Sequence, residues 1–298
     1  MSTIPEPAGK DSRTGVAVVT DSTTYLPEAL VERWGIAQVS LYVGWEDERL
    51  PEQEYVLDDF YTRLQSSPSL PSTSQPSVGD FLAVYEPLVA AGRDVVSIHI
   101  AAGLSGTCES AREAARTLAG RDLPGRVEVV DGETGAGGLG CLVLAAAQAA
   151  ERGLSLEHVA ETVRETRAGL EIWFCLDTLE FLRKGGRIGA AQALLGSALK
   201  IKPILTFGTE IAPVGRVRTA KRAHERMVAY LEELSDRGAS GWIVQHAQLP
   251  EEAASLVAAG EEILGTEPLF CTEVGPVLGA HLGSGVLVGG IGLAPAAA

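Results

Sequence analysis

The stretch from Val95 to Ser110 carries the side chains whose types and spacing are best suited to chemistry. Its apolar, β-branched start is typical of a strand buried on both faces, and small residues follow at helical spacing. Glycines between the two elements let the backbone approach a ligand, and the free N–H groups of a first helical turn attract anions. The stretch therefore predicts either a binding loop for a small anion or a well-capped turn, with Ser105 and Thr107 as candidate caps.

Two further polar residues fall in predicted loops that could meet Ser105. Thr73 lies in a proline- and serine-rich loop, residues 68–76, and His281 lies in a glycine-rich loop, residues 275–285. Hydroxyl groups donate hydrogen bonds, and an imidazole can donate or carry positive charge. Thr73, Ser105 and His281 together would therefore form a clamp for a carboxylate.

The same residues allow a second interpretation, which is acyl hydrolysis. Residues 103–107 nearly match the nucleophile elbow Gly-x-Ser-x-Gly, and the order Ser105, Asp177, His281 is that of an α/β-hydrolase triad. Thr107, however, stands where the elbow has its last glycine, at the point where the helix must pack closely on the strand. Hydrolysis by these three residues is therefore the alternative function.

Composition and charge argue against several classes of protein. The net charge of −15 disfavours a general nucleic-acid-binding protein. The four cysteines are scattered, and the sequence has no HExxH pattern or phosphate-binding loop, so it predicts neither a metal site nor a cofactor. The N-terminus lacks an apolar signal core, and the longest apolar stretch, around Leu139–Ala150, is too short to span a bilayer. We therefore expect a soluble, cytoplasmic protein.

Strands and helices alternate along the first half of the chain, which predicts an α/β fold with a mostly parallel sheet. Near Ala168 the pattern resets, and a hairpin over residues 201–217 indicates a second, mixed sheet. We predict a disordered tail over residues 1–15, an N-terminal α/β domain over 16–167 and a C-terminal α/β domain over 168–298. A ligand cleft between the domains would then receive the polar residues that follow predicted strands. These are Asp21–Thr24, Ser105–Thr107, Asp131 and Asp177.

The segment from Phe181 to His224 differs in charge from the rest of the chain. It holds nine basic residues against Glu210 alone, a local charge of +8 in a chain whose net charge is −15. A charged run is often only a solvated face, but this contrast favours a docking surface for something acidic. The members of this basic segment are Arg183, Lys184, Arg187, Lys200, Lys202, Arg216, Arg218, Lys221 and Arg222.

Over residues 16–293 the chain resembles the DegV family of bacterial proteins, which includes the fatty-acid-binding subunits of the fatty acid kinase system. The resemblance rests on motifs in the family's order: VVTDSTTYLP, PSTSQPS, GLSGT, DTLEFLRKGGRIG, LKIKPIL and GPVLGAHLGSG. It implies a two-domain DegV-like fold with a long-chain fatty acid buried between the domains. It also implies a lipid-binding protein that catalyses nothing itself and serves phospholipid metabolism.

The resemblance further implies a partner, a dihydroxyacetone-kinase-like subunit that uses ATP to convert the presented acid to an acyl phosphate. The basic segment would meet that kinase or, during lipid exchange, an anionic membrane. The carboxylate would be held by the threonine of TSQPS and the serine of GLSGT, joined by a histidine and an arginine. The fatty-acid-binding set implied in this way is Thr73, Ser74, Ser105, Gly106, Arg187 and His281.

The chain departs from the family's pattern beside the GLSGT motif. Ala101 and Ala102 stand where the family often has serines, and Cys108 stands where it often has a tyrosine. Ser105 is kept, so the clamp is retained. Burying an acyl chain is favourable by about 0.8 kcal/mol per methylene, whereas a buried carboxylate needs donors or a cation to stay ionised.

Overall fold

The structure, a computed structural model, describes residues 15–46, 48–196 and 201–292. The predicted tail lies outside these ranges except for Gly15, and so does Lys200 of the basic segment. The strands are, in chain order, β1 (Ala17–Asp21), β2 (Ala37–Val39), β3 (Tyr42–Gly44), β4 (Leu50–Pro51), β5 (Ser72–Ser74), β6 (Val95–His99), β7 (Val127–Asp131), β8 (Glu171–Cys175), β9 (Lys202–Phe207), β10 (Ile211–Val217), β11 (Val244–Ala247), β12 (Cys271–Glu273) and β13 (Val286–Gly292).

The strands form three sheets. The first is parallel, with strand order β2-β1-β6-β7. The second is mixed, with order β10-β9-β8-β13-β11-β12, and only β11 and β12 run parallel to each other within it. A third, small antiparallel sheet, β4-β3-β5, is built from the first half of the chain alone. The α/β fold with a parallel sheet followed by a mixed sheet is confirmed.

Helices cover the faces of these sheets, as a parallel sheet requires. Thr219 and Ser77 cap α-helices through their side chains, and Ser77 forms a capping box with Asp80. The α-helices are α1 (Glu28–Trp34), α2 (Leu57–Ser66), α3 (Val78–Ala90), α4 (Thr107–Ala119), α5 (Ala136–Glu151), α6 (Leu156–Ala168), α7 (Glu180–Lys184), α8 (Ala220–Asp236), α9 (Pro250–Leu264) and α10 (Pro276–Leu282).

Three predicted elements differ from the structure. Residues 36–43 are predicted as one strand, but the chain changes sheet near Ser40, so β2 pairs with β1 and β3 pairs with β5. The predicted loop at residues 68–76 contains β5, and the predicted loop at 275–285 contains α10. Short polar or glycine-rich segments lack the apolar periodicity from which elements are recognised.

One hydrophobic cluster runs through both halves of the chain. It contains Ile98 and Leu139 from the parallel half and Phe174 and Phe207 from the mixed half. Because α6 ends at Ala168 and β8 begins at Glu171, only two residues connect the last helix of the parallel half to the first strand of the mixed sheet.

Candidate functional site

A cavity lies inside this shared core, where the parallel sheet, the mixed sheet and the small sheet meet. The space between its lining side chains amounts to about 540 Å³, including the part open to solvent. Its wall is mainly aliphatic and ends at a group of polar side chains. The lining residues are Leu41, Thr73, Ser74, Gln75, Ile100, Leu104, Ser105, Leu182, Arg187, Phe207, Ile211, Val277, Leu278, His281 and Leu282.

Ser105 reaches the cavity from the turn between β6 and α4. Its Oγ lies 2.8 Å from Thr107 Oγ1 and accepts a hydrogen bond from the Thr107 N–H at 3.3 Å. Helix α4 begins at Thr107 with Gly106 at the N-cap position, so neither of the two predicted caps occupies it. The half-buried hydroxyl of Ser105 remains at the cavity wall.

Gly106 and Gln75 pack against each other beside Ser105. A Cβ at Gly106 would lie 2.6 Å from Gln75 Nε2, so any larger residue there would force the Gln75 side chain to move. Gln75 lines the cavity, whereas Gly106 is absent from the wall. Gly106 thus packs behind Gln75 and does not itself face the cavity. Gln75 is a lining residue that the sequence did not predict.

Thr73 and His281 meet at the polar end of the cavity. Thr73 lies on β5 and His281 in the last turn of α10, 208 residues later, and their Oγ1 and Nε2 atoms are 2.7 Å apart. Burial, together with a smaller effect of the positive charge of Arg187, lowers the pKa of His281 to about 4. His281 is therefore a neutral imidazole at pH 7.

Two buried polar atoms at this end have no hydrogen-bond partner among the described residues. They are Ser74 Oγ and His281 Nδ1. A buried polar group left unpaired costs about 1–3 kcal/mol, so such atoms call for an explanation, and a bound ligand is one of them. Both belong to residues of the cavity wall.

Arg187 follows α7 and brings a guanidinium group to the same end. Its Nε donates to the Leu104 carbonyl at 3.3 Å and its Nη1 donates to the Gly185 carbonyl at 2.8 Å. These bonds tie the loop after α7, from the second half of the chain, to the Ser105 turn of the first half. The side chain is exposed on its outer side while it lines the cavity on the inner side.

The hydrolase triad predicted as the alternative is not formed. Ser105 bonds to Thr107, His281 bonds to Thr73, and the Asp177 carboxylate pairs with Lys202. The second ring nitrogen of His281 has no carboxylate to orient it in the described part of the chain. Ser105 therefore lacks both the base and the orienting acid of a nucleophilic serine.

A second series of carboxylate, imidazole and hydroxyl groups is linked by hydrogen bonds, but it is buried away from solvent. Asp21 Oδ2 lies 3.1 Å from His99 Nδ1, and His99 Nε2 lies 2.7 Å from Ser97 Oγ. All three side chains are fully buried, and Tyr85 Oη donates to the serine oxygen at 2.6 Å. Asp21 also accepts from the Ile100 N–H at 2.9 Å, so this network holds a strand end next to the cavity.

Of the polar residues predicted at strand ends, only the Ser105 turn contributes to the cavity wall. Asp131 accepts hydrogen bonds from the backbone of Ala102 and Glu133, which fixes two turns. Asp177 pairs with Lys202 at an exposed position. These carboxylates are structural, because a turn beyond a strand leaves backbone N–H groups that need acceptors.

Helix α10, which carries His281, is anchored at its other end by a buried glutamate. Glu52 follows β4, is 3% exposed, and accepts hydrogen bonds from the Val277 N–H and the Tyr25 hydroxyl at 3.0 and 3.1 Å. Ser22 donates to its second oxygen. Burial raises the pKa of Glu52 to about 7, against these hydrogen bonds, which lower it. Hydrogen bonds therefore hold α10 at both ends: Glu52, which follows β4, binds its first turn, and Thr73, on β5, binds His281 in its last turn.

The basic segment divides into paired and unpaired residues. Lys184, Lys202 and Arg222 form ion pairs with acids of their own fold. Arg216 and Arg218, on β10 and just after it, are exposed and have no ion pair within the described residues. The described ranges contain no cluster of acidic, histidine or cysteine side chains suited to a metal, and no helix in them is long and apolar enough to cross a membrane.

Fold and cavity together define a class: a two-sheet α/β protein with an apolar pocket that ends at hydroxyl, imidazole and guanidinium groups. A family profile described as "Uncharacterised protein, DegV family" matches residues 15–295. The chain belongs to the DegV family, as its motifs predict.

Relatives of known name and structure resemble the chain over nearly its full length. A DegV domain-containing protein of Streptomyces coelicolor is 39% identical over 279 residues, 91% of this chain and 96% of that protein. The structure of Bacillus subtilis DegV, described as a fatty acid binding protein, matches with a TM-score of 0.84 and 34% identity, covering 94% of this chain and 99% of that chain. A Thermus thermophilus family member, described for its fatty acid binding, matches with a TM-score of 0.82 and 35% identity over 94% and 100% of the two chains.

Proposed function

We propose that this protein binds one long-chain fatty acid, with the acyl chain in the cavity and the carboxylate at its polar end. One observation carries the proposal: an aliphatic pocket inside the shared core ends at Thr73, Ser105, Arg187 and His281. A ligand for this pocket needs a long apolar part and a small anionic head. The two related structures described as fatty-acid-binding proteins support the same ligand class.

The energetics of such a ligand divide between its two parts. Each buried methylene contributes about 0.8 kcal/mol, so a long chain supplies the affinity. The carboxylate must keep hydrogen bonds that replace water, and hydroxyl groups together with a guanidinium can donate them. Neutral His281 orients the Thr73 hydroxyl without adding a fixed charge. Ser74, whose hydroxyl lacks a described partner, is a further donor in this proposal.

We further propose that the protein is a carrier and not an enzyme, which presents its fatty acid to a dihydroxyacetone-kinase-like subunit that makes the acyl phosphate. The exposed cations Arg216 and Arg218 support a docking surface for an acidic patch of that partner or for an anionic membrane. In this proposal the domain boundary lies near residue 168 and the ligand bridges the two domains.

Native mass spectrometry of the purified protein tests the binding proposal. We expect a mass increase of one long-chain fatty acid per chain, released on denaturation and identified in the lipid extract. Delipidated protein should take up added palmitate with the same stoichiometry. Protein that carries no lipid and takes up none of several added fatty acids would refute the proposal.

A further inference from the structure

The turn between β6 and α4 holds Ser105 through the two residues with which it begins. The Ala101 carbonyl accepts the N–H groups of Leu104 and Ser105 at 2.9 and 3.2 Å, which closes the turn. Ile100, the residue before Ala101, lines the cavity itself and donates its N–H to Asp21 Oδ2 at 2.9 Å. The position of the Ser105 hydroxyl therefore depends on how firmly Ile100 and Ala101 are held.

Asp21 is the buried acceptor that holds this turn from the side of β1. Its Oδ1 accepts hydrogen bonds from the N–H and the hydroxyl of Thr23, while its Oδ2 faces His99 Nδ1 and the Ile100 N–H. The side chain is fully buried, so no water replaces these partners. One carboxylate thus ties the end of β1 to the end of β6, and the cavity wall begins at that point.

The remainder of the buried network makes His99 a donor to Asp21. Tyr85 Oη donates to Ser97 Oγ at 2.6 Å, and burial raises the pKa of Tyr85, which keeps this hydroxyl protonated. The Ser97 hydrogen is then available to His99 Nε2, 2.7 Å away, so Nδ1 carries the hydrogen that faces Asp21 at 3.1 Å. A buried polar network in which every member has a partner favours one conformation.

We propose that Asp21 is a positioning residue for the fatty-acid carboxylate, because it fixes the backbone from which Ser105 meets the ligand. Asp21 is not part of the cavity wall, so it acts through two backbone groups, the Ile100 N–H and the Ala101 carbonyl. A hydroxyl that is held in place before the ligand arrives loses less conformational freedom on binding. The inference rests on the proposed function, since it assumes that a carboxylate binds at Ser105.

A purely structural role for Asp21 would have a different consequence. If Asp21 only stabilised the fold, its loss would weaken all ligands of the cavity alike, since the acyl chain would meet a looser wall. A positioning role confines the loss to ligands that carry a carboxylate. Palmitate and hexadecan-1-ol have chains of equal length and differ in their head groups, so these two ligands separate the two roles.

The test measures both ligands with delipidated full-length protein, by displacement of a fluorescent fatty acid, with the alcohol delivered from cyclodextrin. Asp21→Asn keeps the size of the side chain but removes its charge, and its NH2 group must face the N–H of either Thr23 or Ile100. Asp94→Asn is the matched control, because Asp94 accepts the Arg126 N–H at 3.1 Å at the opposite end of β6. Ser105→Ala, alone and combined with Asp21→Asn, shows whether Asp21 acts through Ser105.

We expect Asp21→Asn to weaken palmitate binding about tenfold and hexadecan-1-ol binding less than about twofold, with Asp94→Asn normal for both. When Ser105 is already alanine, Asp21→Asn should cause no further loss of palmitate affinity. Equal losses for palmitate and hexadecan-1-ol, or additive effects of the two substitutions, would refute the positioning role and leave the proposed function in place. If the wild type binds no palmitate, the proposed function and this inference both fail.

A milder variant decides the question if Asp21→Asn does not fold. Thr23→Val removes the hydroxyl that donates to Asp21 Oδ1 and keeps the shape of this buried side chain. We expect it to weaken palmitate binding about threefold and to leave hexadecan-1-ol binding unchanged. Palmitate affinity equal to that of the wild type would refute the positioning role.

Discussion

The hydrogen bond between Thr73 and His281 joins residues 208 positions apart in the sequence. Because the imidazole is neutral, its tautomer decides which of the two groups donates the hydrogen. When Nε2–H donates to Thr73 Oγ1, the threonine hydroxyl is free to donate to a carboxylate. A charged imidazole would be costly to bury without a partner, which is why burial holds the pKa of His281 at about 4. Thr73 is therefore the group that we expect to touch the ligand, with His281 as its positioning residue.

Thr73→Val tests this role, because valine keeps the shape of threonine and removes its hydroxyl. We expect palmitate affinity to fall about ten- to a hundredfold, the usual effect of losing a hydrogen bond to a charged group. Thr117→Val is the control, since that exposed threonine of α4 bonds only to the Glu113 carbonyl. Equal palmitate affinity in both variants, measured by fluorescent displacement, would show that the carboxylate lies elsewhere.

At the residue scale the sequence predicted the polar end of the cavity better than its wall. Thr73, Ser105 and His281 stand out because hydroxyls and a histidine among glycines suggest binding. Leu41 and Leu278, in contrast, look like any other core residue, since nothing in an apolar side chain reveals whether it faces a cavity. Gln75 was missed because its role depends on packing against Gly106 across space.

Helix α10 carries His281 and is therefore essential to the site, but its proline and glycines led to the prediction of a loop. Pro276 and the glycines at 275, 279 and 283 predict a loop, yet the proline occupies the first helical position, where it needs no N–H partner. Gly279 lets the helix approach α2, because a Cβ there would lie 2.9 Å from Tyr61 Oη. Tertiary contacts, invisible in one sequence, decide such short elements.

The anchor of α10 at Glu52 has a measurable pH signature. Its pKa is about 7 in the folded protein and 4.5 ordinarily, so its contribution to stability is full below pH 4.5 and is lost as pH rises through 7. Glutamine does not ionise, so the Glu52→Gln variant does not lose this stability as pH rises. Relative to the wild type, the free energy of unfolding of Glu52→Gln should therefore rise by up to about 3 kcal/mol between pH 4.5 and 8.

Denaturant unfolding at a series of pH values measures this difference. Glu54→Gln serves as the control, because Glu54 is an exposed carboxylate two residues further along. A pH-independent difference between Glu52→Gln and the wild type would mean that Glu52 titrates normally despite its burial.

A second prediction at this scale concerns the end of α7. Gly185 and Gly120 both end helices with nearly equal backbone angles, φ −76° and −77°. An added Cβ at Gly185 would lie 2.3 Å from His281 Nδ1, whereas at Gly120 the nearest atom is 3.7 Å away. We expect Gly185→Ala to displace His281 and weaken palmitate binding about tenfold, as for a lost charged hydrogen bond. Gly120→Ala should bind normally, and normal binding by both would show that the site tolerates the methyl group.

For the whole molecule, the alternation of strands and helices was enough to predict a parallel sheet followed by a mixed one. The small sheet was not predicted, since β4 has only two residues and β5 is the polar segment Ser72–Ser74. Its β3–β5 pairing connects residues 28 or more positions apart, which local patterns cannot encode. The cavity depends on that sheet, so the site could be predicted only as a convergence of loops.

The surplus positive charge of the basic segment gives the last prediction. Changing Arg216 and Arg218 to glutamate should slow association with the kinase subunit or with anionic vesicles and flatten the salt dependence, while fatty-acid occupancy stays the same. Changing Arg33 and Arg152 to glutamate alters net charge equally at exposed positions outside the basic segment. Stopped-flow rates across salt concentrations compare the two double variants. Equal rates for both would make the basic segment an ordinary solvated face.

The cavity lies within the hydrophobic cluster that both halves of the chain share. An acyl chain in that position would complete the interior of the protein, so we expect the lipid-free form to open more often and to be the better protease substrate. The lifetime of the protein would then follow the supply of fatty acid, because the loaded form would resist proteases longer than the empty one.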